Sequence, residues 1–122
     1  MYYHIWFVTK YRKTTLCGET AQMVKHIFLE VANNKKYNIM EMETNRDHVH
    51  MLLEVKDKNE LAETVRTLKA ISAKKVLDAA KHRNVGNRRH FWARRYGYRD
   101  IDPSEIANIR KYIRNQQKIP HA

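Results

Sequence analysis

The chain has 122 residues, 43% of them apolar, and one cysteine. This length suits one domain with its own core, and a lone cysteine excludes both an internal disulfide and a cysteine-based zinc site. The net charge of +11, from 24 Lys and Arg against 13 Asp and Glu, points to a polyanionic partner, most often nucleic acid.

Residues 2–9 are dense in aromatic and β-branched types and predict a strand. They do not form a signal-peptide pattern, and no apolar run approaches the roughly twenty residues of a membrane span. A cytoplasmic protein with no membrane contact is expected. Trp6 and Phe7 are expected in the core. Val24, Ile27, Phe28 and Val31 recur at helical spacing and predict an amphipathic helix over 19–36. Residues 38–44 predict a second strand with Met40 and Met42 on one face. Asn45-Arg46 supplies turn chemistry, and the strand beginning at His48 is the hairpin partner. A second helix is predicted from Asn59, its N-cap, to about His82, with Leu61, Val65 and Leu68 on its apolar face.

Residues 83–90, with Asn84, Gly86 and Asn87, read as a basic loop, and 91–99 as a short fourth strand. Asp102-Pro103-Ser104-Glu105 is a helix start: an N-cap Asp, Pro in first position, Glu in third. The last helix runs to about Gln117, before Pro120. No repeat or linker divides the chain, so 1–122 reads as a single domain. The order β-α-β-β-α-β is that of an α+β ferredoxin-like split βαβ fold with an antiparallel sheet. The extra C-terminal helix is free to cover the sheet face that the other helices leave open.

Chemistry concentrates in Asp47-His48-Val49-His50-Met51-Leu52-Leu53. Strand side chains alternate, so His48 and His50 share a face with Leu52 and Glu54, while Val49, Met51, Leu53 and Val55 form an apolar face opposite. Two neutral imidazoles side by side on a rigid strand can begin a metal site; an isolated H-x-H is more often structural. Glu54 lies about 13 Å from His50 by strand rise, too far for a shared ligand set. His4 could face the site or the core, and His26, His82, His90 and His121 lack partner spacing and read as surface residues, as does Cys17. On the last helix, Ile106, Ile109 and Ile113 form the core stripe, with Tyr112 and Gln116 one turn apart along its edge. Alone, such a Tyr is packing and such a Gln a solvated helix former.

Residues 74–99 hold Lys74, Lys75, Lys81, Arg83, Arg88, Arg89, Arg94, Arg95 and Arg99 against Asp78 alone. The bland reading is a solvated face kept for solubility. The sharper one is a nucleic-acid surface on which Trp6, Tyr11, Trp92, Tyr96 or Tyr98 could stack bases.

Taken together, these motifs resemble the single-tyrosine HUH transposases of small insertion sequences, the IS200-like, TnpA-like family. Asp47-His48-Val49-His50 resembles the histidine–hydrophobic–histidine motif, and Tyr112-Ile113-Arg114-Asn115-Gln116 the family's tyrosine signature. The run from His4 to Arg12, with Leu68-Lys69 and Phe91-Trp92, is similar as well. The chain departs at Arg46, where proline is common, at Ala70, where glycine is frequent, and over Tyr96–Ile101.

The resemblance implies that His48, His50 and Gln116 hold a divalent metal, Mg²⁺ or Mn²⁺, and that Tyr112 is the nucleophile, forming a covalent phosphotyrosine. A free phenol, pKa ~10, is protonated at neutral pH, so basic neighbours and the cation would have to favour the phenolate. The implied substrate is single-stranded DNA carrying hairpins formed by imperfect palindromes. The implied assembly is a homodimer with one merged sheet, in which the tyrosine of one subunit can serve the other. Strand exchange conserves bond energy, and no phosphate-binding Gly-rich loop is present, so no nucleotide cofactor is expected. Lys10, Arg12, Arg88, Arg89, Arg94 and Arg95 are the candidates for DNA contact. Rival readings are a non-catalytic single-stranded nucleic-acid-binding module on the same fold, a metal-free phosphoesterase, a replication initiator or relaxase, and a domesticated transposase-derived nickase. The single H-x-H argues against the phosphoesterase, and the small size against the initiator.

Overall fold

A computed structural model describes residues 1–81 and 90–116. Arg88, Arg89, His82 and His121, most of the expected basic loop, and the expected helix end at Gln117 with Pro120 lie outside the described residues. Four strands, β1 (Tyr2–Val8), β2 (Asn38–Asn45), β3 (His48–Glu54) and β4 (Gly97–Ile101), form an antiparallel sheet in the order β2-β3-β1-β4. That is the expected split βαβ order: β3 inserts between β1 and β2, and β1 between β3 and β4. Helices α1 (Gly18–Lys35) and α2 (Lys58–Lys81) cover one face, and α3 (Ile106–Arg114) packs on the other.

Alternation along the strands explains the two faces. Tyr3, Ile5 and Phe7 of β1 and Val49, Met51 and Leu53 of β3 are all but fully buried. They pack with Val24, Ile27, Phe28 and Val31 of α1 and Leu61, Val65 and Leu68 of α2. Removing this apolar surface from water is the main drive to fold. Among the described residues the opposite face has a small apolar cluster, Leu52, Ile101 and Ile113, with Tyr2, Met40, Ile106 and Ile109 at its margin.

Several local expectations are corrected. Met40 and Met42 do not share a face: the register shifts between Ile39 and Glu41, so Met40 joins the small cluster and Met42 the large one. An extra residue in a strand breaks its alternation. The N-cap before α2 is Asp57 rather than Asn59: Asp57 Oδ1 accepts from the Glu60 N–H at 2.8 Å, two residues earlier than the sequence pattern predicts. Asp102 does cap as expected, with Glu105 completing a capping box, but Pro103–Glu105 is a 3₁₀ turn and the α-helix starts at Ile106. It ends at Arg114, so Gln116 lies past the helix and not along its edge. Arg46 takes φ 54°, a conformation that a proline ring forbids, so this turn differs from one with proline there.

The approach to β4 is held in two places. Thr9 bridges Trp92, whose indole N–H donates to Ser72 Oγ at 2.8 Å. Lys69 Nζ donates to the carbonyls of Ala93, Arg94 and Arg95 at 2.8, 3.2 and 3.5 Å. Burial pushes the Lys69 ammonium below its ordinary pKa.

Candidate active site

The site lies on the sheet face opposite α1 and α2. Sheet register places His48 and His50 on β3 beside Val8 and Trp6 of β1 on one flank, and beside Asn45 and Glu43 of β2 on the other. The two imidazole rings are 5.0 Å apart and nearly perpendicular. Each is held through Nδ1. His48 Nδ1 lies 2.7 Å from Asp47 Oδ1, and His50 Nδ1 lies 2.9 Å from His4 Nε2. A neutral ring that donates from Nδ1 keeps its Nε2 lone pair for another partner, which is how protein frameworks set a metal-binding tautomer.

Electrostatics favour the neutral form of His50 and of His4. Burial, then the charge on His4 and His48, lowers His50 to about 3. Burial, then Arg99, lowers His4 to about 4. Burial alone would raise Asp47, but hydrogen bonds from His48 and Arg12 outweigh it and leave the carboxyl below its ordinary value. Arg12 Nε donates to Asp47 Oδ2 at 2.9 Å, so Arg12, Asp47 and His48 form a chain from the surface into the site. Arg12 stands in the short turn Lys10–Arg12, where Tyr11 and Arg12 both have positive φ, at 60° and 50°. Two consecutive non-glycine residues in this region store backbone strain, a feature that gathers at functional sites.

Tyr112 on α3 faces this group. Its ring centroid is 5.8 Å from both His4 and His50, edge-on to each, and 48% of the residue is exposed. The helix is seated by Ile113 in the small cluster and by Arg110 and Arg114, which both reach Glu41 Oε1 at 3.2 Å. Beyond it, the Gln116 carbonyl accepts from Asn45 Nδ2 at 2.8 Å. Asn45 is the β2 partner of His48, so this bond brings Gln116 to the histidine end of the sheet. Gln116 is 3% exposed, and its side-chain nitrogen has no hydrogen-bond partner among the described residues. An amide nitrogen and oxygen exchange places by a half-turn, so this buried group can equally present its oxygen.

A divalent cation fits this donor set. Two imidazoles on one strand face and a buried amide whose nitrogen has no hydrogen-bond partner among the described residues are hard-to-borderline ligands suited to Mn²⁺ or Mg²⁺. Among the described residues no group of three or more His, Cys, Asp or Glu is placed to hold a metal, so the amide would be required.

The structure thus brings His48, His50, Tyr112 and Gln116 to one face, and it adds Asp47, His4 and Asn45 behind them. Sequence spacing gave no reason to choose His4 over a core histidine; its position two residues from Trp6 on the even-numbered face of β1 was the available signal. Arg94 and Arg95 are exposed, with Lys69 fixing their backbone. Lys10 is half-buried, its ammonium 5.5 Å over the Tyr11 ring. Cys17 is exposed, and Glu54 is exposed and accepts from Asn38 at 2.7 Å.

A histidine pair on a central strand, facing a tyrosine on a terminal helix over a split βαβ sheet, is the arrangement of a single-tyrosine HUH enzyme. Comparison with known proteins agrees. Residues 1–116 match the family described as Transposase IS200 like. The chain is 34% identical over 119 residues to the transposase for insertion sequence element IS200 of Salmonella typhimurium, covering 93% of this chain and 75% of that one. It is 31% identical over 117 residues to the ISDra2 transposase TnpA of Deinococcus radiodurans, covering 93% and 82%. A crystal structure from Deinococcus radiodurans R1, whose protein is designated a transposase, superimposes with a TM-score of 0.73 at 28% identity, over 96% of this chain and 91% of that one. The fold is also that of a REP-associated tyrosine transposase solved bound to a REP hairpin, at a TM-score of 0.70 and 13% identity, over 93% and 64%. The chain belongs to the IS200-like transposase family. Among the described residues no helix is long and apolar enough to cross a membrane.

Proposed function

We propose that this transposase, acting as one domain over residues 1–122, cuts and rejoins single-stranded DNA at insertion-sequence ends, with Tyr112 as nucleophile. The observation that carries the reading is the Tyr112 ring 5.8 Å from a histidine whose Nδ1 is already held. In the first step the Tyr112 phenol oxygen attacks the scissile phosphorus. A bond from that oxygen to phosphorus forms, and the bond from phosphorus to one deoxyribose oxygen breaks. The departing oxygen takes a proton, and the phenol proton passes to water, which reaches the half-exposed side chain. In the second step a deoxyribose hydroxyl from another strand end attacks the phosphotyrosine and releases Tyr112. One phosphodiester replaces another, so no nucleotide cofactor is needed.

His48, His50 and Gln116 would hold a divalent cation, Mg²⁺ or Mn²⁺. When bound, it would polarise the scissile phosphate and help to neutralise charge in the transition state. Asp47 and His4, each in contact with one imidazole Nδ1, would fix how the two rings are turned. Lys10, Arg12, Arg88, Arg89, Arg94 and Arg95 would contact DNA phosphates, in keeping with the +11 charge. The recognised ends would be hairpins, as the fold shared with the REP hairpin complex suggests. A homodimer belongs to the same proposal. Mixing Tyr112→Phe and His48→Ala proteins restores cleavage if subunits complete one another's sites, and leaves the mixture inactive if each chain works alone.

The primary test is covalent capture. The protein is incubated with labelled single-stranded DNA from the flanks of its gene, with Mn²⁺ or EDTA, and run on a denaturing gel. A metal-dependent adduct lost in Tyr112→Phe and His48→Ala is expected. Binding with no adduct, indifferent to EDTA, would replace this reading with a non-catalytic binding module.

A further inference from the structure

Trp6 was expected in the core and is not there. Alternation sends its neighbours Ile5 and Phe7 into the helix-side core, where each is 1% exposed or less. Trp6 points the other way, paired with His50 on β3 and with Gly97 on β4. It belongs to neither apolar cluster of the described residues and is only half-buried. Its ring lies 5.0 Å from that of His4, and 6.5 Å from that of His50 at an interplanar angle of 30°. The seat for this indole is made by a missing side chain. A Cβ at position 97 would stand 2.2 Å from the Trp6 ring, closer than atoms can approach. Glycine in a strand commonly marks such a close approach. The arrangement sets a tryptophan and a glycine beside the histidine pair, outside both apolar clusters of the described residues.

We propose that Trp6, seated on Gly97, is a stacking platform for one nucleobase of the DNA strand, next to the phosphate that Tyr112 attacks. The inference rests on the strand-transfer reading above. A nucleobase is the flat partner that the chemistry of this face selects. The chain carries a net charge of +11, and Arg99 stands on the same face, paired with His4 across the sheet. The gap from the indole to His50 is one that a single nucleotide spans between its base and a phosphate. Stacking on an indole holds any base, so the platform positions the strand without dictating its sequence. It also fixes the scissile phosphate in register with Tyr112, because a clamped base leaves its own phosphate few places to go.

The test separates bases from phosphates. Two probes are used: a twelve-nucleotide deoxythymidine strand, and an abasic strand with the same number of phosphates. Both are titrated against the wild-type chain, Trp6→Leu and Gly97→Ala, following tryptophan emission and the anisotropy of an end label. The other tryptophan, Trp92, is buried in the helix-side core and supplies a constant background. In the wild type, the thymidine strand is expected to quench emission and to bind more tightly than the abasic strand. In Trp6→Leu that preference should shrink by about 5- to 150-fold, the range for one stacked base, with abasic binding unchanged. Gly97→Ala, which keeps both tryptophans but displaces the indole, should lose the same preference. A strand carrying 5-bromodeoxyuridine should crosslink to Trp6 on irradiation.

An undiminished preference in both variants overturns the platform and leaves strand transfer standing. A Trp6-dependent preference in a protein that forms no covalent adduct does the reverse. If the wild type binds neither strand, the platform fails, and strand transfer stands or falls on the covalent-capture test alone.

Discussion

The two faces of the sheet use the same strands for opposite ends. On β1 and β3, odd-numbered residues from Tyr3 to Phe7 and from Val49 to Leu53 enter an apolar core under two long helices. The even-numbered His4, Trp6, His48 and His50 face a surface covered in part by a nine-residue helix. The first face is filled, and its contacts are interchangeable in kind. The second is held by directed bonds: Asp47 to His48, His4 to His50, Asn45 to the Gln116 backbone. A period of two is thus enough to put stability on one side of a strand and chemistry on the other. One residue of slip would exchange them, which is why the bulge at Met40 is placed on the outer strand β2, away from the histidines.

The sharpest way to break this comparison is to cut each face separately. Tyr112→Phe should abolish the covalent adduct while changing stability by less than about 0.5 kcal/mol, because the residue is half exposed and has no hydrogen bond to lose among the described residues. Leu53→Ala should do the opposite. It should cost about 2–5 kcal/mol by urea denaturation, yet leave adduct formation per folded molecule within a few-fold. If Leu53→Ala removed adduct formation at temperatures where it stays folded, the division of labour would be wrong.

A second cut goes behind the histidines. His4→Leu removes the group that holds His50 Nδ1. Mn²⁺ affinity of the DNA-free protein, measured by calorimetry, should fall by about 10- to 100-fold, the usual cost of losing a residue that orients a ligand. His4→Gln restores an acceptor at nearly the same reach and should recover much of that loss. Equal affinity in all three proteins would reduce His4 to packing.

How far the sequence carried these conclusions depended on the kind of residue. The split βαβ order, the apolar stripes and the Asp102 cap were legible because period and capping chemistry are local. The histidine pair was legible for the same reason: two residues apart on a strand is one face. His4 and Asn45 were not, because their roles depend on partners 46 and 71 positions away, brought together by sheet register and by the packing of the last helix. Trp6 was misread as core because composition cannot say which face of a central strand an aromatic takes. The glycine that makes room for it lies 91 positions on, its link being visible only once β1 and β4 pair.

A third cut uses pH. His50 and His4 titrate in the folded chain near 3 and 4, against the ordinary 6.5. Both folded values are lowered, so below about 6.5 the unfolded chain binds more protons than the folded one. The stability they contribute is complete above pH 6.5 and drains away as pH falls towards 4. Because both imidazoles must charge, the loss should reach several kcal/mol between pH 7 and 4. Urea denaturation across that window checks it. His4→Leu should show a shallower decline than the wild type, since one buried imidazole no longer has to charge.

The smallest expected effect is the most discriminating for the surface residues. Arg12 is a candidate for DNA contact, yet its Nε is bonded to Asp47, the residue that holds His48. Its side chain is 66% exposed, so the ion pair itself should add under about 1 kcal/mol to stability. Its value would lie in fixing the carboxylate. Arg12→Ala should therefore weaken Mn²⁺ binding by a few-fold with no DNA present, and more at low salt than at high, because the pair is screened. A residue that only met phosphates would leave DNA-free Mn²⁺ affinity untouched and would lower the salt dependence of DNA binding by about one ion. Both changes together would mean that one guanidinium joins the two tasks. The arriving strand would then compete with Asp47 for Arg12, and DNA binding would loosen the hold on His48 just as the phosphate reaches the site.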